Sequence, residues 1–390
     1  MAPALVGADA TAAASLRCFY YAKLWRHWRP GHRAVALGLS ALRSRRAVHD
    51  LLTGDRQALA TRWRGFSPAL RREIEQRRHA DAPIDSFIDQ EERKGLHALV
   101  NPAAVPFERN PLKNKAAFEA RCRDAALPVP LSVPTAAALG ELDAIIVKPQ
   151  YGSKGKGVRR FDRVASEWRE AGGAARVAMA DADAWIRRMT ASGLIVQQCL
   201  SVDPSLADIS PGALPTLRIV TCRDERGVPE VTDVALRLSL SAGAADNFNA
   251  DNLVCGVDAR GSAGPALRRI EGRLVECTRH PTTGGAIDGR ALALHAEALA
   301  LAIRAHDAFG DGFTVIGWDI GLTSRGAVLV EGNWNPGYNV MQLVHGRGLG
   351  DTRLGTLYRR HLERLDDRVW ATAAPVTVAQ FALSRTRPGR

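Results

Sequence analysis

The sequence predicts an α+β protein built on antiparallel sheet, and three observations carry that reading. Runs at 142–149, 157–164, 194–200, 216–223, 230–240, 253–258, 273–279, 313–323 and 327–334 read as strands, and most follow one another without a helical pattern between them. One pair of runs is joined by a glycine-rich turn that returns as a strand instead of opening a helix. Another pair, in TVIGWDIGLTSRGAVLVEGNWNPG, forms a hairpin late in the chain.

Helical patterns are fewer. Apolar residues recur at helical spacing in 33–53 and 66–79. The stretch LKNKAAFEARCRDAALPVP predicts a helix with Asn114 as its N-cap and Pro128 and Pro130 as its stop. Further helices are expected at 165–171, 180–192, 288–309 and 351–366. The organisation expected along the chain is a helical basic region over 1–100, a first subdomain over 101–200, a second over 201–370, and a tail over 371–390.

At 390 residues the chain can bury an ample core. It has no apolar run of membrane-spanning length and no secretory signal pattern, so a cytoplasmic protein is expected. The six cysteines are scattered with no C-x-x-C pair, as in a reducing compartment. The net charge of +12 is concentrated at the start: residues 1–80 hold fifteen Lys and Arg against five acids. Phe19, Tyr20, Tyr21, Trp25 and Trp28 are interleaved with that charge, so the segment is a candidate for peripheral contact with an anionic membrane or an acidic partner. Nothing in it resembles a base-reading motif, and no nucleic-acid partner is expected.

The strand DAIIVKPQ delivers Lys148 into YGSKGKGV. Gly152, Gly155 and Gly157 let backbone amides approach phosphate oxygens where a Cβ would hold the chain away, and Lys154 and Lys156 add positive charge. The spacing is neither that of a Walker loop nor that of a Rossmann fingerprint, since both need a helix after the glycines. A lysine on the strand before a glycine loop also occurs in protein kinases, but the H-R-D and D-F-G signatures are absent.

In the late hairpin, a turn centred on Arg325 pairs 319 with 331 and 317 with 333. Alternation then places Asp319, Glu331 and Asn333 on one face, with Val328 and Val330 facing the other layer. Facing carboxylates in apolar strands call for a cation, and hard oxygen donors with open positions suit Mg²⁺ shared with phosphates. Arg218 in TLRIVT and Arg237 in VALRLSL sit in apolar strands, where a guanidinium wants an anion.

The order of Lys148, glycine loop, LIVQQCL and Asp-Glu-x-Asn hairpin resembles the ATP-grasp superfamily, specifically the sugar-transfer associated ATP-grasp family, which is related to α-L-glutamate ligases. The strings that carry the resemblance are LPTLRIVTCRD, the DNF of AADNFNADNLVCGVD, HPTTGGAIDG and VIGWDIGLTSRGAVLVEGNWNPG. Together they run from NKAAF to GNWNPGYNVMQ, more than half of the chain.

The resemblance implies an ATP-grasp fold, with two α+β subdomains clasping ATP and Mg²⁺ held by Asp319, Glu331 and Asn333. It implies ATP-facing lysines at Lys115 and Lys148, and a phosphate cover formed by Gly152, Ser153, Lys154, Gly155, Lys156 and Gly157. Gln197, Gln198 and Leu200 would line the adenine, with Gln197 standing where many relatives have Glu. A relative, D-alanyl-D-alanine ligase, has an arginine two residues before its first metal Asp. Gly317 stands there in this chain, so the oxyanion role passes to Arg218 or Arg237, which join Lys148 as the catalytic candidates.

The function implied is an ATP-dependent ligase that activates a carboxylate as an acyl phosphate for capture by an amine, in polysaccharide or glycoconjugate biosynthesis. The alternatives are a phosphotransferase acting on a hydroxyl and a nucleotide-binding adaptor of a glycosyltransferase. The substrate expected is a small or sugar-linked molecule. His280 and His345 read as structural.

Overall fold

The computed structural model describes residues 16–27, 86–88, 90–101, 110–140, 142–152, 155, 157–240, 252–271, 273–310 and 312–372. The helices expected at 33–53 and 66–79, the loop residues Ser153, Lys154 and Lys156, and the tail lie outside them. The chain divides into two units. One gathers Met1–Asn101, Glu271–Leu274 and Gly337–Arg390, and the other gathers Pro102–Ile270 and Val275–Pro336.

The second unit holds two antiparallel sheets, which is the α+β architecture expected. In the first sheet the strands are β1 (Ala144–Pro149), β2 (Arg159–Val164), β3 (Glu167–Glu170), β4 (Arg176–Ala178) and β5 (Leu194–Gln198), in the order β4-β3-β2-β1-β5. Ile145, Val147, Phe161, Trp168 and Val196 pack from its inner face against Trp185 and Ile186 of the helix Ala182–Ala191. Full burial of each large apolar side chain here contributes about 1.5–3 kcal/mol.

The helix expected at 165–171 is instead the strand β3. Its alternation puts Trp168 into this core, while Ala165, at φ 52°, makes the tight turn that pairs Val164 with Glu167. A run of four residues supports either pattern by composition; burial of the tryptophan on the sheet decides it.

The second sheet comprises β6 (Thr216–Arg223), β7 (Pro229–Leu238), β8 (Leu253–Val257), β9 (Ala263–Ile270), β10 (Arg273–Cys277), β11 (Val315–Thr323) and β12 (Gly326–Asn333), in the order β10-β9-β8-β7-β6-β11-β12. Strand β9 was not expected from the sequence. The helix expected from 288 begins only at His295 and runs to Phe309, with Leu301, Ala302, Ala305 and Phe309 buried against the sheet.

A polar clasp joins this helix to the sheet. Thr221 Oγ1 lies 2.8 Å from His306 Nδ1 and accepts a hydrogen bond from Trp318 Nε1 at 2.9 Å, while His306 Nε2 lies 2.9 Å from the Phe313 carbonyl oxygen. Because that carbonyl can only accept, Nε2 carries the proton and Nδ1 accepts from Thr221. Burial pushes the imidazole pKa down to about 4, so the ring stays neutral in the clasp.

The described helices of the first unit are Leu16–His27, Gln90–Val100, Asn339–Val344, Arg353–Glu363 and Asp367–Thr372. Phe19 and Tyr20 are buried against Trp370, and the Arg359 guanidinium lies 3.8 Å from the Phe19 ring centroid. These two aromatics, expected to accompany a basic docking surface, are therefore core residues. Gln342 closes a second contact, donating to the Ile88 carbonyl at 2.8 Å and accepting from the Ile88 and Leu349 amides. Residues 337–370, assigned by sequence to the subdomain of the late hairpin, group by contact with these helices.

Candidate active site

The β11–β12 hairpin brings the three oxygen donors onto one face. Gly317 pairs with Asn333 and Asp319 with Glu331, the pairing expected. The route to it differs, because the turn is the two-residue Ser324–Arg325 and a β-bulge falls between the pairs made by Asp319 and Ile320. The extra residue is Val330.

The bulge also reverses the expected facing of the valines. Leu329 and Ala327 enter the core, while Val328 pairs with Gly321 on the side of Asp319, and a Cβ on Gly321 would meet Val330 Cγ2 at 3.2 Å. Ideal alternation ignores the residue that a bulge inserts.

Gly317 leaves room for Pro336, since a Cβ at 317 would overlap the proline's Cβ. No arginine fits there. Gly317→Ala is expected to cost about 1–3 kcal/mol by overpacking, read as a lowered urea midpoint.

Both candidate arginines converge on Asp319. Arg218, its cross-strand partner on β6, donates through Nε to Oδ1 at 2.5 Å and through Nη2 to Oδ2 at 3.1 Å. Arg237 Nη2 lies 3.0 Å from Oδ2, and the same guanidinium donates to Thr216 Oγ1 at 2.9 and 3.0 Å. Asn333 Nδ2 donates to Oδ2 at 3.4 Å. Burial pushes the Asp319 carboxyl upward, but the charges and hydrogen bonds of Arg218 and Arg237 outweigh it and hold the group below the usual carboxylate range.

Beside this cluster stands a set of lysines. Lys115, the first residue of the helix Lys115–Asp124, reaches Glu331 at 3.8 Å and donates to the Gly152 carbonyl at 3.1 Å. Asn114 caps that helix through the Ala116 and Ala117 amides, as predicted, and its side chain also contacts Gln150 and Tyr151. The start of the helix is thus tied to the base of the glycine turn, where Gly152, Gly155 and Gly157 have φ of 152°, 65° and 74°. Lys113 lies 5.4 Å from the Trp334 ring centroid, and burial lowers its pKa. It was not singled out from the sequence.

Lys148 is buried on β1, on the face opposite Ile145 and Val147. Burial pushes its ammonium down to about 8, Lys115 pushes the same way, and Glu331 and Glu119 oppose. Across the strand pair, Ile146 faces Gln197 and Lys148 faces Ile195, so Gln197 shares the Lys148 face. Gln198 and Cys199 donate their backbone N–H groups to Leu131 and Ala144, and Leu200 follows the strand, half-buried.

His280 is structural, as expected: Nε2 lies 2.9 Å from the Ser239 carbonyl oxygen, and Nδ1 accepts from the Thr282 and Thr283 amides. Of the AADNFNADN segment, Asn252 is described, and its side chain accepts from the Leu240 amide at 2.9 Å.

The chemistry of this face suits a polyanion. Among the described residues Lys113, Lys115, Lys148, Arg218 and Arg237 gather with the carboxylates Glu119, Asp319 and Glu331, and a buried cation such as Lys148 is costly without a counter-charge. Among the described residues no three or more His, Cys, Asp or Glu cluster as a metal cage. The donor set of two carboxylates and an amide fits magnesium in kind, as an ion shared with phosphate oxygens.

Residues 100–355 match the family described as sugar-transfer associated ATP-grasp. No curated protein matches the chain. Among solved structures it is similar to an ADP complex of N5-carboxyaminoimidazole ribonucleotide synthetase, at 13% identity over 58% of this chain and 46% of that one, with a TM-score of 0.34. The synthetase from Thermotoga maritima gives 12% identity, 64% and 51% coverage and a TM-score of 0.34. An L-amino acid ligase from Bacillus licheniformis gives 14% identity, 74% and 62% coverage and a TM-score of 0.35. The chain spans about half the length of the two synthetases.

Proposed function

From a chain that belongs to the sugar-transfer associated ATP-grasp family, we propose an ATP-dependent ligase that joins a carboxylate to an amine, one of them carried on a saccharide, in polysaccharide or glycoconjugate biosynthesis. The observation that carries the reading is the shared face on which Lys148 and Lys115 meet Glu331 and the Asp319 cluster. The saccharide follows from the family description.

In this chemistry a substrate carboxylate oxygen attacks the terminal phosphorus of ATP, the bond to ADP breaks, and an amine then displaces phosphate from the acyl carbon with loss of a proton. Lys115 and Lys148 hold phosphate oxygens. Glu331, whose one ion pair among the described residues is the long contact to Lys115, is the acid best placed to take Mg²⁺, and Asp319 and Asn333 would complete the set. Bound magnesium supplies charge neutralisation at the transferring group. Arg218 and Arg237 stabilise the developing oxyanion that no arginine at 317 can serve. No described helix is long and apolar enough to cross a membrane; peripheral docking through residues 1–80 belongs to the proposal.

The test is ADP release from a panel of acids and amines, with hydroxylamine present to trap an acyl phosphate. The expected result is a hydroxamate formed with ADP, and a loss of about a hundredfold or more in Glu331→Gln. A phosphorylated acceptor without hydroxamate would replace the ligase by a phosphotransferase, and equal rates in the variant would reject the site.

A further inference from the structure

Glu119 is a buried carboxylate on the helix Lys115–Asp124 that the proposed reaction does not use. Its Oε1 accepts from the Ser132 amide at 3.1 Å, and its Oε2 accepts from Ser132 Oγ and from Gln197 Nε2, the latter at 3.1 Å. The second hydrogen of that Gln197 amide goes to the Pro130 carbonyl at 3.2 Å. Gln197 itself is buried and lies on the face of the sheet that bears Lys148.

An amide side chain can be turned end for end, and only its hydrogen bonds decide which way it points. Here the decision is forced. A carboxylate and a backbone carbonyl are both acceptors, so only the NH₂ end of Gln197 can face them. The oxygen is then the side chain's remaining polar group, and it cannot become a donor without setting an acceptor against Glu119 and Pro130.

We infer that Glu119 is a positioning residue for base selection: it locks Gln197 so that its carbonyl oxygen is offered to the ligand, committing the site to a purine with a hydrogen-bond donor at position 6. A 6-amino purine satisfies that oxygen, whereas a 6-oxo purine sets oxygen against oxygen. The inference rests on the ATP reading above and adds that the selectivity is written in a residue outside the base contact. Gln at 197 is also the partner that a buried Glu119 requires, because a second carboxylate would place two like charges side by side.

The test is calorimetric titration of the full chain with ATP and with ITP, which carries a carbonyl in place of the 6-amino group. Wild type is expected to bind ATP about tenfold or more tightly than ITP, since a mismatched buried polar group costs about 1–3 kcal/mol. In Glu119→Gln the Ser132 amide keeps the single oxygen and the new NH₂ faces Gln197, while Pro130 still calls for the NH₂ end, so neither orientation of Gln197 satisfies both neighbours and the lock is lost. The ratio is expected to fall below about threefold.

The ratio is the readout because a general loosening weakens both nucleotides alike. Should Glu119→Gln fail to fold, Gln197→Met removes the amide outright, and it too is expected to bind ATP and ITP nearly equally. A wild type that binds both nucleotides alike overturns the inference and leaves the ATP reading standing. A wild-type ratio retained in Glu119→Gln or in Gln197→Met also overturns it. A wild type that binds neither nucleotide overturns the ATP reading itself, and the inference with it.

Discussion

Arg218→Met is expected to lower the unfolding free energy by about 3–5 kcal/mol, the cost of leaving a buried carboxylate short of a partner. Asp319 is buried between two guanidiniums, and Arg218 supplies the two-pronged contact. Arg237 still reaches Oδ2 at 3.0 Å, but Oδ1 loses its guanidinium partner. A urea titration gives the loss as a lower midpoint. The double variant Arg218→Met with Asp319→Asn is expected to recover part of it, since the oxygen that Arg218 served then belongs to a neutral amide while Arg237 gives up this carboxylate. If the double variant is as unstable as the single one, the cost lies in lost packing and not in the charge.

The pH dependence follows from the same pair. The folded carboxyl titrates below its unfolded value, so the ion cluster stabilises the protein fully above about pH 4. That contribution is lost as the pH falls through the folded value. Wild-type stability should therefore decline in acid more steeply than that of Asp319→Asn, checked by urea midpoints measured down the acid range.

Lys148→Met is expected to reduce ATP-dependent turnover by about a hundred- to a thousandfold, because it removes the buried cation proposed to face the transferring phosphate. The same change should raise the thermal midpoint of the nucleotide-free protein by a few degrees, since it removes a desolvated charge with no close ion pair among the described residues. Opposite signs in the two measurements mark a residue held for binding at the expense of stability. In wild type, nucleotide affinity should fall as the pH rises through about 8, where the buried ammonium loses its proton. Stability should move the other way: the unfolded chain keeps that proton to about 10.4, so between these values the unfolded state binds more protons and ΔG of unfolding rises. Calorimetry across pH 7–10 on wild type and Lys148→Met checks both; a Lys148→Met profile that matches wild type would assign the change to another group.

Much of the site was legible because strands alternate strictly over short distances. Asp319, Glu331 and Asn333 could be placed on one face by counting from a turn, and Lys148 from its position before the glycines. The convergence of Arg218 and Arg237 on Asp319 was not legible, because register between strands about a hundred residues apart in sequence has no local signal. The facing of Val328 was misread for a related reason: one inserted residue reverses parity, and nothing in GAVLVEGN marks which residue is extra. Glu119 escaped notice because, with Arg123 four residues on, it reads as an ordinary exposed helix pair. Burial of Phe118 and Cys122 on either side of it was the available clue. Strand β3 was missed because a short, charged run reveals its alternation only when Trp168 is known to be buried.

The bulge at Val330 separates the hairpin into two parts whose lengths are independent. The face shown by Glu331 and Asn333 is set by their pairing with Asp319 and Gly317, while the exposed tip at Ser324 and Arg325 is closed by Thr323 and Gly326. Residues added at the tip loop outward without renumbering the ladder near the acids. The tip is thus a natural port for a reporter peptide or a fluorophore, one that would ride on the strands carrying the site yet leave its geometry undisturbed.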